Sequence, residues 1–486
     1  MRVFMLGWEF PPFIAGGLGT ACAGLTKSLV KQGHDVTFVL PQPVPEGHQS
    51  HVRLIGPRVL ARRVEHLREN AVSEVPESRV VGGERVVRLE DDVRTLEQFQ
   101  LIHERAISMS SYPGVDAHDT LTRVVRHVSE TNPGARIVHE DPHEDPVLTN
   151  LRSSSAAMLA DAMQEALDSL GELGVANSGY SGDLFNDAQR YARLACALAI
   201  HEHFDVIHAH DWLTYHAGVA VRALTGKPLV CHIHATEFDR SGEHINQGVY
   251  DIERMGLHNA DRVVAVSRLT KAIVHTRYGV DDEKIDVVYN GVEQDQAQPK
   301  MGAAIENDEK IVLFLGRITM QKGPEYFIRA AKRVLEVEDK VKFVVAGSGD
   351  MAVRMIEDAA AHGIGHKVLF TGFLRGRDVD RVFQMADCYV MPSVSEPFGI
   401  APLEAMRNDT PVIVSKQSGV AEVLTHALKV DFWDIDEMAN KIVAVLRYPP
   451  LSSTLREHGR FELRGLSWDG AAEKCVKSYA RAIASV

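Results

Sequence analysis

The feature that most constrains the fold is a repeated alternation of short apolar runs with amphipathic stretches. The chain opens with an apolar run at 2–6, a Gly-rich turn at 16–19, a helical stretch to about Gln32, and a second apolar run, HDVTFVL. Strands and helices that alternate in this way predict parallel strands, because a parallel connection needs a crossover that is usually a helix. The sequence therefore predicts an α/β protein.

The alternation occurs in two blocks separated by a polar segment. Later apolar runs of the first block are DVIHA, PLVCHI, RVVAV and IDVVY, and those of the second are KIVLFLG, KFVVAG, KVLFTG, DCYVMPS and PVIVS. Between the blocks, residues 293–310 are polar, lack a hydrophobic period and are typical of a linker. A chain of 486 residues is also too long for one ordinary core. We predict two parallel-sheet domains, 1–292 and 311–468, joined by this linker.

Residues 42–175 form a poorly defined insertion in the first domain. A glycine pair predicts a hairpin at 82–83, and apolar positions within 159–170 follow a helical period. The tandem HEDPHEDP at 139–146 favours a solvated loop over a cation site. The surrounding polar stretch is typical of either a lid or partner surface or a solvated loop.

Charge and cysteine content disfavour several classes of function. The net charge of -13 argues against nucleic acid and anionic lipid as partners. Five scattered cysteines without a CxxC pair indicate neither a disulfide framework nor a thiolate zinc site. The start lacks signal-peptide features, and no run approaches the roughly 18 apolar residues of a membrane helix. We expect a cytoplasmic protein without stable membrane insertion; the oligomeric state stays open.

The segment EPFGIAPLEA, residues 396–405, places two carboxylates around a kinked turn. Pro402 lacks an amide donor and would clash with a preceding helical turn, so a continuous helix is disfavoured. We predict that a helix begins at Pro402, since proline is tolerated at the first helical position. Glu404 then lies in the first turn of that helix, and Glu396 lies in the loop before it.

A second segment, GRITMQKG at 316–323, carries two cations after the first strand of the second block. Arg317 and Lys322 stand beside glycines that permit close approach, although surface charges on a loop are the alternative. Two such cations can stabilise a leaving diphosphate without Mg²⁺ by pre-organised electrostatics. Carboxylates at Glu396 and Glu404 can accept hydrogen bonds from sugar and ribose hydroxyls. The combination favours a nucleotide-sugar as substrate, with no metal or cofactor.

Two features of the first block leave alternatives open. The Gly-rich turn GGLG, residues 16–19, could hold a phosphate at a helix start, or it could be a loop that needs positive φ. The His-x-His pairs His208/His210 and His232/His234 each lie on one face of a strand, so a metal-assisted hydrolase is one hypothesis. We favour the alternative in which one histidine of each pair is packed and the other faces a cleft.

Taken together, these segments resemble the retaining glycosyltransferases of the GT-B fold, and within them the bacterial and archaeal glycogen/starch synthases. The resemblance rests on FPPFIAGGLGT, YSGDLFNDAQRYARLA, DVIHAHDW, HIHATEFDRSG, VSRLTKAIV, VYNGV, GRITMQKG and EPFGIAPLEA. It implies two Rossmann-like domains facing across a cleft. It also implies a C-terminal helix, within 469–486, that crosses back to the first domain.

On the donor side, the resemblance implies a role for each residue of the two charged segments. Arg317 and Lys322 would bind the donor phosphates, and Glu404 would bind the ribose hydroxyls. Glu396 would hold the sugar. Backbone amides that assist Glu396 would come from Phe398, Gly399 and Ile400.

The resemblance assigns further residues to the first domain. His234 would lie beside the anomeric carbon, Asp211 would face the acceptor, and Gly17 would approach the diphosphate. Asn290 would belong to the donor site. Synthases that use ADP-glucose often carry Lys where this chain has Ile14, so the donor base stays open between ADP and UDP.

The implied reaction is a retaining transfer of glucose from ADP- or UDP-glucose to an α-1,4-glucan. The leaving diphosphate would help to deprotonate the incoming hydroxyl on the same face of the sugar, because no side chain is an obvious covalent nucleophile. One alternative transfers glucose or mannose to a small-molecule or lipid-linked acceptor. The metal hydrolase is another, and the intact cations and glutamates disfavour a non-catalytic sugar-binding module.

Overall fold

The computed structural model describes residues 1–13, 16–45, 47–73, 163–164, 167–168, 184–293 and 309–486. Within these ranges the chain forms two sheets in which every strand pair is parallel. The predicted hairpin at 82–83, the HEDPHEDP segment and residues 294–308 of the linker lie outside the described residues. Residues 163–164 and 167–168 are helical, as their apolar period predicts.

The first sheet has the strand order β3-β2-β1-β4-β5-β6-β7. Its strands are β1 (Arg2–Leu6), β2 (Asp35–Val39), β3 (Arg53–Ile55), β4 (Val206–His210), β5 (Leu229–Ile233), β6 (Arg262–Ala265) and β7 (Ile285–Val287). The order reverses at β1, which pairs with both β2 and β4. Ligands of open parallel sheets bind beyond the carboxyl ends of the strands at such a reversal. This geometry points to the segments that follow β1 and β4.

Helices cover both faces of this sheet. They are α1 (Gly17–Lys31), α2 (Pro57–Ser73), α3 (Leu184–Ala199), α4 (Trp212–Thr225), α5 (Glu237–Ser241), α6 (Gln247–Asn259) and α7 (Arg268–Tyr278). Alternate residues of β1 belong to different cores: Phe4 packs in the cluster with α3 and α4, and Met5 packs in the cluster with α1. Burial on both faces explains why the strands are nearly continuous apolar runs.

The second sheet repeats the plan with the order β10-β9-β8-β11-β12-β13. Its strands are β8 (Lys310–Leu315), β9 (Val341–Ala346), β10 (Val368–Gly372), β11 (Cys388–Met391), β12 (Val412–Ser415) and β13 (Leu428–Val430). Its helices are α8 (Pro324–Leu335), α9 (Ala352–Ala361), α10 (Arg377–Met385), α11 (Ala401–Arg407), α12 (Ile435–Arg447) and α13 (Pro449–Glu462). The reversal here is at β8, which pairs with β9 and β11.

The last helix, α14 (Trp468–Ala484), returns to the first sheet. It packs on α1 and on strands β4 to β6. Trp468 and Tyr479 are buried in the same core as α1, and Lys31 pairs with Asp469 at 2.6 Å. Within the described ranges, no helix combines the length and the apolar character that crossing a bilayer requires.

The two halves of the molecule touch at the start of α7. Both oxygens of Glu422, from the second half, accept backbone hydrogen bonds from Arg268 at 3.0 Å and Leu269 at 2.7 Å. Tyr289 also donates to this carboxylate, at 3.0 Å. A negative charge at the first amides of a helix is favourable because those amides have no partner within the helix.

Candidate active site

The central contact of the second half joins Lys322 to Glu396. Lys322 ends a short 3₁₀ turn after β8, and its ammonium donates to Oε2 of Glu396. The Ser393 hydroxyl donates to the same oxygen at 3.2 Å. Glu396 is only 6% exposed, so the carboxylate of this ion pair is largely shielded from water. The structure therefore joins two residues that are 74 positions apart in the chain, each at the carboxyl end of a strand.

Backbone hydrogen bonds fix the loop that carries Glu396. Its amide donates to the carbonyl of Gln417 at 3.0 Å, and its carbonyl accepts from Gly419 at 2.9 Å. Val394 donates to the carbonyl of Gln321 at 2.9 Å, which ties the same loop to the turn before Lys322. The carboxylate is thus held by a rigid scaffold.

Arg317 lies near this pair but does not contact it directly. Its side chain is exposed, and its guanidinium donates to Oε1 of the buried Gln321 at 3.4 Å. Gln321 immediately precedes Lys322. The two predicted cations therefore share one turn at the end of β8.

The kink in EPFGIAPLEA is present, and the helix after it begins one residue earlier than predicted. α11 begins at Ala401, with Pro402 at its second position, and Glu404 lies in the first turn. Burial raises the pKa of the Glu404 carboxyl, an effect that Arg407 opposes and Asp380 reinforces. Proline is accommodated in this first turn because its missing N–H would have no helical partner there.

The residues between the two glutamates turn the backbone toward α11. Phe398 is buried and its carbonyl accepts from Val420 at 2.7 Å, while Gly399 has φ +100°. A side chain at that φ would be strained, which explains the glycine. Ile400 is half-buried and forms the N-cap of α11. Asn290, buried in the first half, follows Tyr289, whose ring lies 6.0 Å from that of Phe398.

In the first half, Asp211 joins the ends of β4 and β5. Its Oδ1 accepts from the backbone amide of His234 at 2.6 Å, and its own amide donates to the carbonyl of His232 at 2.9 Å. Asp211 has φ 58° and ψ 171°, a conformation that L-residues rarely adopt. The hydrogen bonds hold the residue in this strained conformation, which is typical of functional sites.

Burial and the groups around Asp211 shift its pKa in opposite directions. Burial raises the pKa of the Asp211 carboxyl to about 6, Arg240 and the amides of His234 and Ala235 lower it, and Glu9 raises it. The predicted residues His234 and Asp211 are adjacent, because the His234 amide donates to the Asp211 carboxylate. Burial also lowers the pKa of His234 to about 3, so its imidazole is neutral near pH 7.

The favoured interpretation of the His-x-His pairs is wrong for the first pair. His208 and His210 are both fully buried, and His232 is 2% exposed, so only His234 of the four is half-buried. The reason is the register: His210 lies opposite His232 on neighbouring strands, which stacks all four rings on one face of the sheet. His210 Nδ1 lies 2.9 Å from His234 Nε2.

The Gly-rich turn does not follow the positive-φ interpretation. The glycines at 16, 17 and 19 do not have positive φ. At Gly16 a Cβ would lie 2.5 Å from Oε2 of Glu9, and the same oxygen accepts from the amide of Gly19 at 3.0 Å. A carboxylate of the chain itself thus occupies the start of α1. Gly17 is exposed, and a Cβ there would meet nothing within 4 Å, so the backbone is open to approach.

A network across the cleft was missed by sequence reasoning. Ser395, beside Glu396, donates to Oδ1 of Asp239 at 2.6 Å, and α5, which carries Asp239, packs against the 3₁₀ turn that contains Lys322. Arg240 contacts Glu253, which is fully buried. The HATEFDRSG segment could have revealed the charges Asp239 and Arg240, but not that they face Ser395.

The arrangement combines two cations and a buried carboxylate on one side with a histidine and a carboxylate on the other. Cations on a short turn can stabilise developing negative charge, and a buried carboxylate can orient hydroxyl groups. Both sets of residues lie beyond the carboxyl ends of parallel strands. Helix α5 of the first half packs against the turn that contains Lys322. This chemistry suits the transfer of a polar group from a donor whose leaving group is an anion.

Comparison with known families covers most of the chain in three parts. Residues 296–461 match glycosyl transferases group 1, residues 170–296 match glycosyltransferase family 4, and residues 2–102 match the starch synthase catalytic domain.

Individual relatives are glycosyltransferases of several kinds. The chain is 27% identical to an uncharacterized glycosyltransferase of Methanocaldococcus jannaschii, over 99% of this chain and 98% of the relative. It is 24% identical to a glycogen synthase of Mycobacterium tuberculosis, over 87% of this chain and 80% of the relative. It is 30% identical to a D-inositol 3-phosphate glycosyltransferase of Mycobacteroides abscessus, over 59% of this chain and 69% of the relative.

A solved structure supports the fold along the whole chain. The sucrose-phosphate synthase of Thermosynechococcus elongatus has a TM-score of 0.65 at 18% identity, with all of both chains covered. The predicted fold class, two Rossmann-like parallel-sheet domains, is confirmed by this likeness and by the two sheets. The chain therefore belongs to the glycosyltransferases of the GT-B fold, and within them it is similar to glycogen and starch synthases.

Proposed function

We propose that the enzyme transfers glucose from ADP- or UDP-glucose to an α-1,4-glucan with retention of the anomeric configuration. The observation that carries the proposal is the Lys322–Glu396 contact, with Arg317 on the same turn. The first half supplies the His234–Asp211 pair. A nucleotide-sugar is the ligand class that uses a cationic turn and buried carboxylates together.

The donor would lie mainly on the second half. Arg317 and Lys322 would stabilise the leaving diphosphate, and Glu396 would hold the sugar together with amides near Phe398, Gly399 and Ile400. Glu404 would bind ribose hydroxyls from the first turn of α11. Gly17 and Asn290 would complete the donor site from the first half, since the backbone at Gly17 is open.

Transfer would proceed on one face of the sugar. The bond from the anomeric carbon to the diphosphate oxygen would break, and that oxygen would accept the proton of the incoming hydroxyl while the new glycosidic bond forms at the same face of the carbon. His234 would lie beside that carbon and Asp211 on the acceptor side. We propose that no divalent cation takes part in this step, because two side-chain cations supply the charge stabilisation.

The compartment we propose is the cytoplasm. All five cysteines are free and buried, which fits a reducing environment.

A second acceptor class is favoured by one observation. The relative at 30% identity is named for transfer to D-inositol 3-phosphate. A small-molecule acceptor is therefore the alternative to a glucan, with the same donor chemistry.

The acceptor is tested by offering labelled ADP-glucose and UDP-glucose with either glycogen or D-inositol 3-phosphate, without added divalent cation. We expect label in glycogen, released by an α-1,4-specific glucosidase. Label in inositol phosphate alone would overturn the glucan assignment and establish the alternative. The retaining assignment is overturned if a β-linked product forms.

A further inference from the structure

We propose that His208, His210 and His232 form a buried binding site for one transition-metal ion of the zinc class. The inference is independent of the proposed transfer reaction. It departs from the expectation of no metal, because His-x-His spacing alone does not reveal that the two pairs share one face at the same level.

The three rings converge from neighbouring strands. His208 and His210 lie in β4, His232 lies in β5, and each residue offers a ring nitrogen within 4.8 Å of the others. His208 Nε2 lies 3.3 Å from His232 Nδ1, longer than most N–H hydrogen bonds. Two nitrogens bound to tetrahedral zinc at about 2.0–2.1 Å lie about 3.3–3.4 Å apart. The two strands thus already present nitrogens at the spacing of metal ligands.

Two ring nitrogens in the cluster are unsatisfied. Nε2 of His210 and Nε2 of His232 are buried and have no hydrogen-bond partner. A buried polar atom without a partner destabilises the folded state. An ion held by Nε2 of His208, Nε2 of His210 and Nδ1 of His232 would give the His210 nitrogen a partner. An all-imidazole set suits zinc, copper or nickel but not magnesium or calcium.

Metal-bound histidines usually form a hydrogen bond through the ring nitrogen that does not bind the ion, and two of these rings have such a contact. Nδ1 of His208 lies 2.7 Å from the Tyr479 hydroxyl, and Nδ1 of His210 lies 2.9 Å from His234 Nε2. Such contacts fix the ring orientation and leave Nε2 for the metal. Through Tyr479 the site would also tie α14 to the first sheet.

Metal binding requires one adjustment. The rings of His208 and His210 lie 4.2 Å apart, tilted by 31°, and they must turn apart for both Nε2 atoms to reach one ion. The ring centroids of His208 and His210 lie 5.3 and 5.2 Å from that of His232, and these separations already suit rings that bind one ion. All three rings are buried, so the ion would be shielded from solvent, and a water would have to fill the fourth tetrahedral position.

The test is a Co²⁺ titration of tag-free, metal-stripped enzyme, followed by visible absorption. We expect one equivalent of Co²⁺ to give the intense bands of a tetrahedral site, and Zn²⁺ to displace it. His210→Gln and His232→Gln should abolish the bands. His216→Gln, which alters a buried histidine of α4 outside the cluster, should keep them.

A milder variant distinguishes loss of metal binding from loss of folding. Tyr479→Phe keeps the ring and removes only the hydroxyl, so it should weaken Co²⁺ affinity by about 10- to 100-fold. Wild-type enzyme without tetrahedral bands would overturn the proposal and leave the cluster as directly packed imidazoles. Bands that persist in both His→Gln variants, folded by circular dichroism, would also overturn it.

Discussion

Glu396 is the residue on which the account depends most. It is buried, paired with Lys322 and hydrogen-bonded by Ser393, so its charge has a fixed position. A pre-organised charge of this kind stabilises a transition state because it needs no rearrangement during the reaction.

Glu396→Gln should therefore lower kcat by on the order of 100-fold or more while the enzyme stays folded. The amide keeps the size of the side chain but loses the charge that faces Lys322. Initial rates with saturating donor and a thermal melt measure both effects. The matched control is Glu457→Gln, which alters an exposed carboxylate on α13. An unchanged kcat in the Glu396 variant would count against the donor site.

Titration of the Glu253 carboxyl should make the free energy of unfolding depend on pH. Burial raises the pKa of this carboxyl to about 7, although Arg240, Tyr278 and the amide of Glu237 all lower it. Between its ordinary pKa and this value, the folded protein holds a proton that the unfolded chain has released. This contribution to stability is present at low pH and is lost as the pH rises through about 5 to 7.

In Glu253→Gln this loss should be absent, so the free energy of unfolding should fall less steeply between about pH 5 and 8 than in wild type. Urea unfolding at a series of pH values measures the slope, with Glu457→Gln as the control that keeps it. Equal slopes in the two variants would refute the assignment.

At the scale of elements, α7 depends on a carboxylate from the other half of the molecule. Glu422 accepts from the first two amides of this helix. Glu422→Ala should lower the free energy of unfolding by about 0.5–2 kcal/mol, the usual cost of a lost helix cap. Urea unfolding measures the change, and Glu457→Ala should cost less than about 0.5 kcal/mol as a surface substitution. Equal stabilities for the two variants would show that this cap is dispensable.

The periodic elements were predictable because their pattern is local. The long apolar runs became strands, and Pro402 marked the start of α11 within one residue. Strands β3 and β13 were missed, since each carries a charged residue (Arg53 and Lys429) and neither belongs to a long apolar run.

The contacts of the site were less predictable because they depend on register and on distant segments. The sequence suggested both Lys322 and Glu396, but not that they touch. It gave no sign that Glu9 occupies the start of α1. The stacking of four histidines follows from the pairing of His210 with His232, which no spacing along the chain encodes.

At the scale of the whole molecule, the candidate site belongs to both halves. Lys322 and Glu396 follow strands of the second sheet, His234 and Asp211 follow strands of the first, and the Ser395–Asp239 hydrogen bond joins the two sides. Helix α14 then returns to the first sheet, so the first and last described elements both pack in the same half. In the proposed reaction, one half would hold the donor while the other would present the acceptor.

Glucose transfer to a glucan is tested by the release of nucleoside diphosphate from ADP-glucose and UDP-glucose, each with and without glycogen. We predict release that depends on glycogen for at least one donor and proceeds without added divalent cation. Absence of release with both donors, or release that glycogen does not increase, would contradict the account.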